Sequence, residues 1–293
     1  NNATDINRIF PWSYSYPNSL TEWKQTVKAK LFPSLYKEQI LTSFESKKQY
    51  FTDKGFLEMR GSKSLDAIEK LERGIRTEEY SPLTRHVADN LKKINELCKQ
   101  NQCEMILLVP PHLQNVILGD QAFQNAFRAI DAFAAEEGVP CYQFSFAKPT
   151  LMENIKPYVR DAGQHLDAEG AAIYTKAIST VLKAHLSGQN TDQYFFTADE
   201  WFASICYISK AWCNRVEQNG QTRLYGHALY GTTVVPQYRY TLQSQDGSEI
   251  VVQDWSDDPN LVLPSEQASG KTICFYVQDS TQSNQTPVRI VCE

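Results

Sequence analysis

The sequence predicts an α/β fold followed by a small all-β sandwich, and three observations carry that expectation. Helical periodicity alternates with short apolar runs between Pro82 and Leu186. A polar tract, SGQNTDQ at 187–193, then ends the helical period. Beyond it, short apolar or alternating pieces are separated by turn residues, which is the pattern of a β-sandwich of immunoglobulin-like type.

At 293 residues the chain has room for two domains with cores of their own, expected at 1–188 and 194–293. An apolar content of 42% with 22% charged residues is that of a globular protein. A net charge of −5 and the lack of a basic cluster argue against a nucleic-acid partner. No apolar run reaches the roughly 18–20 residues of a membrane span, and no signal-peptide core is visible. The chain opens NNATDI without a methionine, so we expect it to be processed or recombinantly trimmed, and an upstream targeting or anchor segment could have been removed.

Residues 1–18 are rich in aromatics, Asn, Ser and Pro and read as an irregular segment. Helices are expected at about 20–31 and 34–47, separated by Pro33, then a loop with a short extended piece, then a short helix at 65–75. Pro82 opens a stronger helix, with Val87, Leu91, Ile94 and Cys98 at helical spacing. The run MILLVPP fits a parallel-sheet strand buried on both faces. A helix from about Asp120 to Glu137 carries Phe123, Phe127, Ile130 and Phe133 on one side and stops at Gly138. VPCYQFSF is the next strand. A loop through 148–160 leads to DAGQHLDAEG at 161–170 and a helix over about 168–186, with Asp167 as its N-cap.

Such an order implies parallel strands joined by right-handed crossovers. Ligands of these sheets bind beyond the carboxyl ends of the strands. Two segments fall there: Pro110, Pro111 and His112 after the first strand, and the 145–165 loop after the second. In the C-terminal region the pieces are FASICYIS, RLYGHALYG, QYRYTLQS, EIVVQDW, NLVLP, KTICFYVQD and PVRIVC, with Asp246 and Gly247 at a hairpin turn. Their Tyr and Trp content is largely accounted for by the strand propensity of aromatics.

Cysteines stand at 98, 103, 141, 206, 213, 274 and 292. None forms a CxxC pair, so no zinc site of the usual kind is expected. The last four, in a β-rich region, are compatible with two disulfides and an extracytoplasmic address; buried free thiols fit the sequence equally well.

The chemistry-bearing stretch is DAGQHLDAEG. A carboxylate four residues before a histidine, on a loop entering a helix, is what orients a catalytic imidazole. The plain alternative is a surface histidine. His112 is a candidate for lining a substrate pocket at the same sheet edge. His86, His185 and His227 have no acidic partner at useful spacing and read as surface or packing residues. A metal centre built from His112, His165 and Asp161 would lack a standard ligand spacing, and no cofactor is expected.

Three stretches together carry a family resemblance over about 82–186: LKKINELCKQNQCEMILLVPP, the short strand CYQF, and DAGQHLDAEGAAIYTKAI. This region resembles the SGNH (GDSL-type) hydrolase superfamily, and within it the membrane-associated branch that works on bacterial cell-envelope polymers (alginate O-acetylation, teichoic-acid D-alanylation). The resemblance implies a three-layer flavodoxin-like parallel sheet and a Ser-His-Asp triad in which His165 is the general base and Asp161 its orienting acid. It implies ester hydrolysis or acyl transfer to a carbohydrate or envelope polymer, outside the cytoplasm, with a membrane acyltransferase as partner. Two features depart from the family. Its acid and histidine are usually spelled DxxH, whereas here the spacing is DxxxH. Its nucleophile sits in a GDS-like block after a first strand, whereas the nearest serine here is Ser62 in MRGSKS, with no apolar strand to present it. The first strands and the nucleophile would then lie upstream of Asn1, or another segment would replace them. A non-catalytic scaffold with a glycan- or protein-binding sandwich is the alternative reading.

Overall fold

The computed structural model describes residues 49–51, 57–59, 64–77, 83–282 and 285–292. The helices expected at 20–31 and 34–47, the irregular opening segment and Ser62 lie outside these residues. The chain divides into two compact units, Asn1–Ser62 and Lys63–Glu293. In the first, β1 (Gln49–Phe51) pairs antiparallel with β2 (Leu57–Met59).

The second unit is a mixed α/β structure with a small parallel sheet and larger antiparallel ones. It begins with α1 (Leu65–Glu72) and α2 (Arg85–Gln100), the latter capped by the Thr84 side chain, which accepts from the Val87 amide at 3.4 Å. β3 (Leu107–Val109) follows, then α3 (Gln114–Gly119), α4 (Gln121–Glu137) and β4 (Cys141–Gln143). β3 and β4 run parallel, with Leu107 opposite Cys141. Gly138 ends α4 in the left-handed conformation (φ 62°), as its position predicts. Asp120 caps the same helix through the Ala122 and Phe123 amides. α5 (Ala168–Leu186) is capped by Asp167, which accepts from the Gly170 amide at 2.9 Å.

Three sequence expectations change here. The run MILLVPP supplies only a three-residue strand, and Leu108 at its centre is exposed rather than buried on both faces. On α2 the residues facing inward are Ala88, Leu91, Asn95 and Cys98, while Val87 and Ile94 are exposed. Asn95 turns the helix by donating to the Glu137 carbonyl at 3.3 Å, beside Lys92, which bridges Glu136 and Glu137. Beyond the polar tract, FASICYIS is extended only at Ile208 and Ser209, which begin a strand. Its first three residues belong to α6 (Ala198–Ser204), started by a capping box in which Thr197 and Glu200 satisfy each other's backbone amides.

The remaining chain forms β5 (Ile208–Gln218), β6 (Gln221–Tyr230), β7 (Pro236–Gln243), β8 (Glu249–Ser256), β9 (Asn260–Pro264), the short α7 (Ser265–Ala268), β10 (Thr272–Asp279) and β11 (Val288–Val291). They make two antiparallel sheets, β5-β6-β9 and β11-β10-β7-β8. Between them lies one core, filled by Leu224 and Leu263 from the first sheet and by Tyr240, Leu242, Ile273, Phe275 and Val277 from the second. Gly247 turns the β7–β8 hairpin at φ 85°, where a side chain would be strained.

Inside this unit the sandwich is joined to the helical layer by polar contacts. Glu72, 1% exposed, is held between Lys156 Nζ at 2.7 Å and Lys210 Nζ of β5 at 3.1 Å. Ser209 of β5 donates to Asn115 of α3 at 2.6 Å and accepts from Gln114 at 2.9 Å.

Candidate functional site

The site is built where the loops leaving β3 and β4 meet the hairpin that leads into α5. That hairpin is closed by three backbone pairings. Arg160 N donates to His165 O at 2.9 Å, Asp167 N donates to Tyr158 O at 2.9 Å, and Val159 bridges Leu166. Its tip is the turn Asp161-Ala162-Gly163-Gln164, in which the Gln164 amide donates to the Asp161 carbonyl at 2.9 Å. Gln164 takes a left-handed conformation (φ 60°). With this turn, acid and histidine meet across the four-residue spacing.

The contact is close. His165 Nδ1 lies 3.0 Å from both carboxylate oxygens of Asp161. Asp161 Oδ1 also accepts from the Gly163 amide at 2.9 Å and, more weakly, from the His165 amide at 3.4 Å. Partial burial pushes the Asp161 carboxyl up, but the hydrogen bonds from His165 and Gly163 and the charge of His165 outweigh it and hold it below the usual carboxylate range. The ring lies over Gly163, where a Cβ would come within 2.7 Å of His165 Cε1. A carboxylate on Nδ1 fixes the proton there and presents Nε2 as a base. Among the described residues Nε2 meets no hydrogen-bond partner, and the side chain is 64% exposed.

Gln164 ties this hairpin to the next loop by accepting the Leu113 amide at 2.8 Å. There His112 packs on Phe123, ring centroids 4.9 Å apart, and its Nδ1 lies 3.0 Å from the Pro110 carbonyl. Burial holds the His112 imidazole below its ordinary range, although the bond to Pro110 pulls the other way. The neutral ring therefore donates from Nδ1 to Pro110 and leaves Nε2 as an acceptor. Ser145, just past β4, accepts from the His112 amide at 3.0 Å. A cavity of about 230 Å³ opens here, lined by His112, Ser145, Gln114, Glu153, Trp201 and Tyr207 among others. His165 is not part of its lining. His112 thus faces a pocket, and the acid–histidine pair stands one loop away.

Of the expected site residues, the structure joins Asp161 to His165 and sets His112 on the adjacent loop; Ser62 lies outside the described residues. Ser64 donates its amide to the Arg160 carbonyl at 3.0 Å, so the chain entering α1 reaches the base of the hairpin. Among the described residues, no group of three or more His, Cys, Asp or Glu side chains is set to hold a metal ion, and His112 does not join Asp161 and His165 in one. Two partners were invisible to sequence spacing. Gln164 links two loops 51 residues apart. His185 does have an acidic partner: Glu104 Oε2 lies 2.8 Å from its Nε2, and the Tyr142 hydroxyl 2.9 Å from its Nδ1. The 81-residue separation of Glu104 and His185 explains why no local pattern revealed the pair.

Fold and site together define a mixed α/β protein with a carboxylate-oriented histidine beside a pocket. Compared with models of protein families, with curated protein sequences and with solved structures, the chain matches none. No helix among the described residues is long and apolar enough to cross a membrane.

Proposed function

We propose that this chain carries the acid–histidine part of a serine esterase or O-acyltransferase of SGNH type, acting outside the cytoplasm on carbohydrate or cell-envelope polymer esters. The observation that carries the reading is the His165 ring, held at Nδ1 by both oxygens of Asp161 with Nε2 open. In the reaction His165 Nε2 accepts the proton of a serine hydroxyl as that oxygen attacks the ester carbonyl. It then returns the proton to the leaving alcohol. Asp161 keeps the tautomer and balances the imidazolium charge. His112, on the neighbouring loop, contributes to binding the substrate. A membrane acyltransferase partner follows from the same family resemblance.

The sheet belongs, on this proposal, to a three-layer flavodoxin-like fold with further strands beyond β3. Two observations support it. Among the described residues β3 pairs only with β4, leaving its other edge open. Leu108, and Val87, Ile94 and Leu97 on α2, are exposed apolar side chains of the kind a larger sheet would cover. The distribution of the sandwich into sheets of three and four strands supports an immunoglobulin-like reading, with β8 paired to β7 rather than to the β9 edge.

A second reading, a non-catalytic scaffold with a glycan- or protein-binding sandwich, is favoured by the missing GDS-like block. Hydrolysis of a chromogenic acetate separates the two. The catalytic reading expects turnover that falls at least ~10³-fold in His165→Ala. Binding of envelope polymer that is equal in wild type and His165→Ala, with no hydrolysis by either, would select the scaffold.

A further inference from the structure

Four cysteines lie in or just before the sandwich, and the alternation of side chains along strands sorts them. Cys213 on β5 and Cys292, directly after β11, both point into the core between the sheets, 6% and 7% exposed. They belong to one buried cluster, where the first and last strands of the sandwich pack against each other. Cys213 Sγ also lies 3.7 Å from the Tyr240 hydroxyl, and the Cys292 amide donates to the Ile273 carbonyl at 2.9 Å. Cys274 is buried too, but it faces the opposite side of β10 from its core-filling neighbours Ile273 and Phe275, with its Sγ 2.9 Å from Arg289 Nη2. Cys206 is exposed ahead of β5. Within this group only Cys213 and Cys292 share the core.

The geometry points to a redox modification site in which Cys213 and Cys292 form a disulfide that crosses the sandwich core and staples its last strand to its first. The oxidant is a small-molecule disulfide such as oxidised glutathione. The Cys213 thiolate attacks one sulfur of that disulfide, forming a mixed disulfide and releasing one glutathione thiolate, which takes up a proton. Cys292 then gives up its proton and attacks the Cys213 sulfur, expelling the second glutathione as a thiol. Two protein thiols are oxidised and one disulfide is reduced to two thiols. The hydrogen bond from Cys292 holds the Cys213 thiol below its ordinary range, against desolvation by the core, while Cys292 as donor is pushed up. This favours Cys213 as the first nucleophile. The oxidant gains access by fraying of β11, a four-residue edge strand that among the described residues pairs only with β10.

The bond would close a loop of about 80 residues, long enough for a large constraint on the unfolded chain. The test equilibrates the full chain with glutathione at a reducing and at an oxidising ratio. Free thiols are then alkylated in denaturant and the peptides mapped without reduction. The expected result is one linked peptide joining Cys213 to Cys292 in the oxidised sample, with Cys206 and Cys274 alkylated. The oxidised form should melt roughly 5–15 °C higher than the reduced one. Cys213→Ser and Cys292→Ser should each abolish that difference. Full alkylation of both core cysteines under oxidising conditions, or a bond that uses Cys206 or Cys274 instead, would overturn the assignment; because the map is made on the wild-type chain, it does not depend on either variant folding.

Discussion

The sandwich and the helical layer bury their apolar residues in different ways. In the sandwich, strands run to 11 residues, and Tyr240, Phe275 and Val277 are fully enclosed between two sheets. In the helical layer the parallel strands are three residues long, Leu108 is exposed at the centre of one, and α2 shows Val87, Ile94 and Leu97 to solvent. The functional hairpin belongs to this second region. Val159 anchors it in a buried apolar cluster with Ile155 and Leu113, and directed hydrogen bonds through Asp161, Gln164 and the Arg160–His165 pairing order its tip. Both regions have buried apolar clusters, and the layer that holds the Asp161–His165 pair is tied to the sandwich by polar joints as well.

The largest test of that contrast is a pair of truncations. Phe275→Ala should destabilise the protein by ~3–5 kcal/mol, because it opens a cavity in the sandwich core. Leu186→Ala, at an exposed position at the end of α5, should stay within about 0.5 kcal/mol of wild type. Equal effects in urea denaturation would break the comparison.

The joint between the regions comes next. Glu72→Ala removes the carboxylate that Lys156 and Lys210 share and leaves the largely buried Lys210 side chain with Glu69 alone. A loss of about 3 kcal/mol is expected, read as a lower thermal midpoint. Cross-linking or small-angle scattering should also show looser contact between α1 and β5. An unchanged midpoint would mean that the polar joint carries no weight.

The smallest effect is a pH dependence confined to the sandwich. Hydrogen bonds from Ser265, Arg215 and Thr222 push the Glu217 carboxyl down from 4.5 to about 2. Because the folded value lies below the unfolded one, the stabilisation is complete above about pH 4.5 and is lost as pH falls towards 2. The difference in thermal midpoint between wild type and Glu217→Gln should therefore be visible at pH 6 and vanish near pH 2. A difference that persists at pH 2 would contradict this assignment.

Much of the fold was legible because single residues announce boundaries. Gly138, Asp167 and the Asp246–Gly247 turn do what their chemistry predicts. The misreadings have local physical causes. FASICYIS has strand-like residues, yet the Thr197–Glu200 capping box just before it starts a helix, and that spacing was available to read. Val87 and Ile94 kept helical period but not the inward face, because Asn95 is anchored to the end of α4 and sets the rotation of α2. In the site, the Asp161–His165 pair could be read from spacing alone, while Gln164 as its clamp required knowing that the turn takes a positive φ. His185 and Glu104 could not be read at all, since nothing local relates residues on either side of two strands and two helices.

Fluorophosphonate labelling of the protein tests most directly the proposed activation of a serine nucleophile by Asp161 and His165. Peptide mapping should find one labelled serine, with Ser62 as the candidate within this chain. Labelling should fall sharply in His165→Ala, which keeps the wild-type stability to within about 0.5–1 kcal/mol, and in Asp161→Ala, which also loses the hydrogen bonds of the turn and melts lower. A protein in which no serine is labelled, or in which labelling is indifferent to His165, would contradict the claim and leave the hairpin as a structural turn.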